Sequence, residues 1–585
     1  MNMQPVFLPR RLRLGAALAL AGMVMLPPAL LLTAGAAHAE LPPAPVAKPM
    51  TAPGAQGVLS APRLAGDAAF ELPPVAAQDA DAAAAAGGVS VRRIAFRGNR
   101  VVPSATLDAL GASYLNRPLG AADIEALRQR ITRHYVDLGY VNSGALLAAD
   151  ALRDDTLTLD IVEGRVATVR LKGLERLHED YVVGRLVRNE GEALNVEQLR
   201  ERFQQLLDDP LFERMNARLM PGSRLGEATL DVEVARAQPY FLSIAANNYR
   251  PPSIGETAVN LSGGVRNLTG YGDLLEASLQ HADGGLGRSN LSWQMPLNQR
   301  GTRLSLQLDH GRSSVVEEPM NVLNIDSKLD SKDVGISQTL HESLRERITL
   351  GVNRLWRENR TRLLGMPFSF VPGEPDGVTR ARSWRFWQEY TLRTEQDALA
   401  LRSTFSWVRN NLQDVAGLPA STTLPAHQYA TWLGQAQYAR QIHSGGTQLV
   451  LRGTVQASER RLLALDQLAI GGVATVRGYR ENLMLRDTGA VLNAEVDHPL
   501  VRNPGAGLNL SLIPFYDIGR GRNRNEAGDT VSSVGIALRN RWQGTFVDLA
   551  IAHRLAYPDS VDSLHGSLHG SLQDKAVHLQ VGYRY

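Results

Sequence analysis

The sequence contains no cysteine. That excludes disulfide staples, thiolate metal sites and thiol catalysis, and it suits an oxidising compartment where a stray thiol is a liability. A dense basic tract is also missing: 62 lysines and arginines nearly cancel 59 acidic residues, so nucleic-acid binding has little electrostatic support. After residue 39 there is no apolar run of the about 18 residues that a membrane helix needs. Catalytic constellations are lacking too. Gly263-Gly264 and Gly471-Gly472 come without the lysine and hydroxyl of a phosphate loop, and His341-Glu342 has no second histidine to complete a zinc-protease helix. The expectation is a protein that is not an enzyme and uses no metal or cofactor.

What is present begins with Arg10, Arg11 and Arg13 ahead of an apolar run over residues 14–34, closed by Ala37-His38-Ala39. This pattern reads as a cleaved secretory signal peptide, residues 1–39. The alternative is a membrane anchor, since the run is about long enough to span. Residues 40–88 are rich in alanine and proline, and proline at this density forbids a long helix and leaves little to bury, so they read as a linker.

From Val89 the texture changes to short strands and helices. Val89, Val91, Ile94 and Phe96 suggest a strand, a short helix follows near residues 103–110, and Ile124, Leu127, Ile131 and Tyr135 recur at helical spacing, with Gly139 as C-cap. Leu157, Leu159 and Ile161 then alternate as a half-buried strand does. The same order returns in residues 165–238, where Asn195 and Gln198 form a capping box ahead of the stripe Val196, Leu199, Phe203, Leu206. Two α+β units are therefore expected, 89–164 and 165–238, each with a sheet edge open to an extended partner strand.

Residues 239–585 show no sustained helical periodicity but many short alternating runs. At the end, Val577, Leu579, Val581, Tyr583 and Tyr585 face one way, while His578, Gln580 and Arg584 face the other. Repetition of one apolar and one polar face fits a transmembrane barrel of about 16 strands, with Tyr585 at the membrane interface. A soluble two-sheet protein is the alternative. With both barrel ends in the periplasm and a last strand from about Gln573, counting back makes 556–572 external; its Ser-Leu-His-Gly tandem at 563–570 reads as a slipped repeat. Gln543-Gly544 is then a periplasmic turn, 518–530 external, 499–505 periplasmic and 458–487 external.

That last loop carries Leu462, Leu463, Leu465, Leu468, Ile470 and Val473, which would be poorly placed in water, so it is expected to fold inward. It also contains Gly471, Gly472, Val476, Arg477, Gly478 and Tyr479. If Leu508, Leu510 and Leu512 face lipid, then Ser511, Phe515 and Asp517 face the lumen. Asp517 is thus available to Arg477, or is a solvated pore-lining acid. Asn493, Glu495 and Asp497 form a second inward acidic row.

These residues, in this order and spacing, resemble the TpsB transporters of two-partner secretion, relatives of the outer-membrane assembly insertases. The likeness covers residues 89–585. It implies a mostly β fold, a 16-stranded antiparallel transmembrane β-barrel preceded by two α+β POTRA domains, in the outer membrane of a Gram-negative bacterium with the POTRA domains in the periplasm. It further implies that Arg477 of the Val-Arg-Gly-Tyr loop pairs with Asp517 of the Phe515 to Gly519 motif. Asn267, Gly270, Gly272 and Asp273, with the strand ending at Pro296, resemble the family's first barrel hairpin. Some relatives carry a plug helix that residues 40–88 match poorly, and Tyr585 stands where an assembly signal often has phenylalanine or tryptophan.

The implied task is passive export of a large TpsA exoprotein, an adhesin or haemolysin, docked on the POTRA domains by strand addition. The implied partners are that exoprotein, outer-membrane lipid, and the barrel-assembly machinery and periplasmic chaperones during biogenesis, with no nucleic acid. A barrel-assembly insertase and a passive porin are the alternatives.

Overall fold

The computed structural model describes residues 70–71, 89–188, 191–283, 287–415, 424–558 and 570–585. The signal-peptide segment, nearly all of the linker with any plug it holds, and the histidine tandem up to residue 569 lie outside the described residues.

In the first small unit Arg93–Arg97 runs parallel to Thr156–Val162, which pairs antiparallel with Gly144–Arg153. The strand expected from Val89 is two pieces, because Val89–Ser90 leaves to pair with Pro118–Leu119, and Val91 between them drops into the core. Helices α1 (Ser104–Gly111) and α2 (Ala121–Asp137) cover the sheet. Leu127, Ile131 and Tyr135, one turn apart, bury against Leu157, Leu159 and Ile161.

The second unit repeats the plan with strands Arg165–Lys172, Phe212–Pro221 and Glu227–Arg236 and helices α3 (Glu179–Leu186) and α4 (Val196–Leu207). Val196, Leu199, Phe203 and Leu206 pack on Leu230, Val232 and Val234, each large side chain contributing about 1.5–3 kcal/mol. Asn195 caps α4 through Oδ1, accepting from the backbone N–H groups of Glu197 and Gln198 at 3.1 Å each. Its Nδ2 donates to the Leu138 carbonyl at 2.9 Å, which ties the cap to the end of α2 in the first unit. One edge of this second sheet is occupied: Phe70–Glu71 of the linker runs parallel to Phe212–Pro221, Phe70 opposite Ala217.

The barrel is closed and antiparallel, with 16 long strands. These are β1 (Tyr240–Asn247), β2 (Ala258–Arg266), β3 (Leu274–Ala282), β4 (Gly287–Pro296), β5 (Thr302–Ser314), β6 (Asp326–Glu342), β7 (Glu346–Leu363) and β8 (Val378–Arg393). They continue with β9 (Asp397–Asn410), β10 (Gln428–Gln441), β11 (Gln448–Ser458), β12 (Thr488–Asn503), β13 (Leu508–Arg522), β14 (Gly528–Trp542), β15 (Thr545–Ala556) and β16 (Val577–Arg584). Closure comes from β1 on β16, Ser243 opposite Arg584. Large apolar side chains stand half exposed on the outer wall, among them Leu242 at 51%, Leu279 at 57% and Ile536 at 54%. A continuous apolar band of this kind faces lipid.

Several strand ends differ from the sequence-based positions. Alternation continues through Arg522, so the external connection expected over 518–530 shortens to residues 523–527. On the periplasmic side β12 runs past Pro499, where the register shifts as a bulge absorbs Leu500, and turns only after Asn503. The last strand starts at Val577 rather than Gln573: residues 572–576 form a turn in which Ala576 adopts φ +58°. The Asn267 to Asp273 segment joins β2 to β3, so it is the first periplasmic turn and not the first hairpin of the barrel.

That turn seats the second small unit. His178 stacks on Tyr271 with ring centroids 4.2 Å apart, and its backbone N–H donates to the Gly270 carbonyl at 2.9 Å. Gln205 of α4 donates to the Glu342 carbonyl at 3.2 Å, and Arg393 pairs with Asp208 at 3.5 Å. The contacts at the β2–β3, β6–β7 and β8–β9 turns fix this end of the barrel as the periplasmic mouth.

Candidate functional site: a loop latched inside the barrel

Residues 459–487, between β11 and β12, fold back into the lumen. A short hairpin, Leu468–Ile470 against Met484–Arg486, stiffens the loop. Most of its apolar residues are buried, in two clusters, while Leu465 and Val473 are half-buried. Leu468, Ile470, Val476, Tyr479 and Met484 pack on Val491 and Val531 of the wall, while Leu462 and Leu463 pack on Ala381, Val408 and Tyr429 of β8, β9 and β10. Burial of these side chains supplies the force that draws a loop of this composition out of water.

The tip is built around Arg477. Its Nε donates to Asp517 Oδ2 and its Nη2 to Asp517 Oδ1, both at 2.7 Å, and its backbone N–H reaches Oδ2 at 3.1 Å. Nη1 lies 2.7 Å from Glu495 Oε1, and the guanidinium sits 3.5 Å above the Phe515 ring. Asp517 is fully buried and Arg477 is 6% exposed. Burial works against the arginine's charge, but hydrogen bonds and charges from Asp517 and Glu495 outweigh it and raise its pKa. Glu495 is shared with Arg452 at 2.6 Å, so two arginines balance two carboxylates. The inward acidic row read from parity thus supplies a second partner for Arg477 that alternation could place on the right face but could not pair.

The flanking residues hold the tip by its backbone. Gly478 N–H donates to His578 Nε2 at 3.0 Å, and Ser533 Oγ donates to the Arg477 carbonyl at 2.6 Å. The Tyr479 hydroxyl donates to the Ser532 carbonyl at 2.8 Å. Gly478 is at φ +90°, and a Cβ there would stand 2.6 Å from the Ala552 Cβ, so a side chain is barred by conformation and by the wall. Gly471 and Gly472 also have positive φ. A Cβ on Gly519 would fall 2.6 Å from Ile470 Cγ2 and 2.9 Å from Val476 Cγ2. The glycine two residues beyond Asp517 therefore leaves the space into which the loop's apolar side packs.

Residues with no motif to announce them complete the attachment. Asp466, at the loop's other end, accepts from Arg357 of β7 at 2.5 Å and from the Tyr429 hydroxyl of β10 at 2.6 Å. Arg480 pairs with Asp574 at 2.5 Å and with Glu317 at 2.8 Å. Only the inward parity of Arg357 and Tyr429 was available in the sequence as a signal. The Glu481 carboxyl, which accepts the Val473 N–H at 2.6 Å, is tucked against Gly472, and burial pushes it up to about 8. The loop is thus anchored at two places on the wall, to β12–β13 and to β7 and β10.

Residues 226–540 match the family described as haemolysin secretion/activation protein ShlB/FhaC/HecB, and residues 89–164 match the ShlB-type POTRA domain. The outer membrane transporter CdiB of Dickeya dadantii (strain 3937) is 24% identical, over 80% of this chain and 83% of its own length. The heme/hemopexin transporter protein HuxB of Haemophilus influenzae (strain 86-028NP) is 20% identical, over 76% and 77% respectively. Among solved structures, CdiB from Escherichia coli shares the fold with a TM-score of 0.67 at 18% identity, covering 88% of this chain and 94% of that one. CdiB from Acinetobacter baumannii does so with a TM-score of 0.60 at 14% identity, covering 89% and 95%. The chain belongs to the ShlB/FhaC/HecB family, outer-membrane transporters of the two-partner secretion type whose POTRA domains lie in the periplasm.

Proposed function

We propose that this chain exports a large TpsA exoprotein, an adhesin or haemolysin, from the periplasm to the cell surface, with the loop tip at Arg477 as the gate. The observation that carries the reading is the anchorage at two points of a loop folded into the lumen, Arg477 on Asp517 and Asp466 on Arg357, above two POTRA-type units at the periplasmic mouth. A permanently closed wall would need no such residues, and a solute pore would need no strand-binding units. The roles assigned to Gly471, Gly472, Val476, Gly478 and Tyr479 are to shape and seat the tip; those of Phe515, Asp517 and Gly519 are to receive it. Strand addition as the docking mode is supported by the edge of the second sheet, which already holds Phe70–Glu71 as an added parallel strand. An extended exoprotein segment would dock by the same main-chain hydrogen bonds, pass the lumen once the loop is released, and fold outside, which opposes its return.

Deleting the chain in a cell that also makes a TpsA exoprotein is expected to trap that protein in the periplasm while other outer-membrane proteins keep their levels. Unchanged surface export overturns the proposal. General loss of outer-membrane proteins assigns the chain to barrel assembly instead.

A further inference from the structure

The outer wall of β5–β9 changes character towards its extracellular end. Cross-strand register places Leu304, Ile336, Val352, Phe386, Phe405 and Trp432 in one outward row. Two residues higher the row includes Val334, Arg354, Trp384 and Trp407, with Arg354 lying 4.8 Å from the Trp384 ring. The next reads Lys332, Trp356, Arg382, Arg409. Above it come Asp330, Glu358 and Arg380, then Arg312, Lys328 and Arg360.

The two carboxylates in this field are already engaged: Glu358 with Arg360 and Arg380, and Asp330 with His310 and Lys328. Lys332, Arg382 and Arg409 are exposed and make no ion pair among the described residues. Arg382 and Arg409 stand directly opposite each other on neighbouring strands, a placement that is unfavourable for like charges unless an anion lies between them. Strands about 4.8 Å apart bring such a pair within reach of one phosphate group, to which arginines donate charge-assisted bonds.

Height selects the source of that phosphate. From Leu392, near the periplasmic turn, to Arg382 the strand climbs about 34 Å, or about 26 Å along the membrane normal at a tilt of about 40°. The apolar band of an outer-membrane barrel is about 25 Å tall, so the cation row stands at its outer boundary, just above the tryptophans.

We propose that this face binds a phosphorylated glycolipid of the outer leaflet, with Lys332, Arg382 and Arg409 holding its phosphates and Trp384 and Trp407 lying against its acyl region. The proposal rests on the membrane placement of the barrel and is independent of what the transporter exports.

The test is a lipid titration of the full-length, delipidated protein followed by native mass spectrometry. The probes are bisphosphorylated lipid A, the same lipid with its phosphates removed, phosphatidylglycerol and inorganic phosphate. Lys332→Gln/Arg382→Gln/Arg409→Gln is expected to weaken bisphosphorylated lipid A by at least about tenfold. Arg520→Gln/Arg522→Gln, at the extracellular end of β13, is expected to leave it unchanged. If the triple variant does not insert, Arg382→Gln alone is expected to weaken binding about threefold in the same titration. Unchanged affinity in these variants, or an equal loss in the β13 control, overturns the assignment. So does equal binding of the dephosphorylated lipid, which places the affinity in the acyl chains, or equal binding of inorganic phosphate, which makes this a general anion site.

Discussion

Replacing Asp517 by asparagine hardly changes the volume of the side chain, yet it cannot be accommodated in either orientation. Oδ2 accepts from Arg477 Nε and N–H, while Oδ1 accepts from Arg477 Nη2 and from Asn493 Nδ2 at 2.8 Å. An amide nitrogen at either position therefore faces two donors. Removing one partner of a buried ion pair costs about 3–5 kcal/mol. Glu495 keeps one charged contact to the arginine, which places the expected cost at the lower end, about 3 kcal/mol. At about 1.4 kcal/mol per tenfold, the ratio of latched to released loop falls about a hundredfold. Single-channel recording in planar bilayers reads this ratio as open probability, and heat-modifiable mobility confirms that the barrel is folded. A closed fraction within about threefold of wild type, in a folded Asp517→Asn barrel, would refute the reasoning. The exchange Arg477→Asp/Asp517→Arg is expected not to restore the latch, because it sets a carboxylate beside Glu495; adding Glu495→Gln is expected to recover part of it.

Three further outcomes follow from the same geometry. Gly519→Val introduces a buried branch against Ile470 and Val476, overpacking that costs about 1–3 kcal/mol; the loop becomes cleavable by added protease while barrel assembly is unchanged. Asp466→Asn strips the charge from the second anchor, where Arg357 is also buried, and raises open probability; in the double variant with Asp517→Asn the two free-energy costs add, so the open-to-closed ratios multiply, because the two sites share no partner. Glu481 supplies a pH dependence: its carboxyl titrates at about 8 in the seated loop against 4.5 in water. The seated state is therefore favoured most below about pH 4.5, and this contribution is lost as pH rises to about 8. Open probability should climb over that interval in the wild type and stay flat in Glu481→Gln, and a slope retained in the variant would assign the titration to another group.

How far the sequence alone reached depended on the period of each signal. A two-residue alternation is local, so the lumen-facing sides of β12, β13 and β16 were legible, and with them Asp517, Glu495 and His578 as inward groups. Helical stripes did the same for α2 and α4. Strand ends were not legible, because turn-forming residues also lie inside the strands: β13 continues through Gly519 and Gly521, and β12 passes Pro499 by a bulge.

Apolar content decided that residues 459–487 leave water, since a loop with buried Leu462, Leu463, Leu468 and Ile470 loses too much by staying outside. Which wall receives each end was decided by the closed barrel. The curve of the wall from β7 to β10 brings Arg357, 109 residues away in sequence, and Tyr429 to Asp466, and the register of β12 on β13, Asn493 opposite Asp517, brings Glu495 to the same guanidinium. Pairing of charges across a lumen depends on strand register and on distance in three dimensions. A one-dimensional pattern carries the face of a residue, and the tertiary structure alone carries its partner.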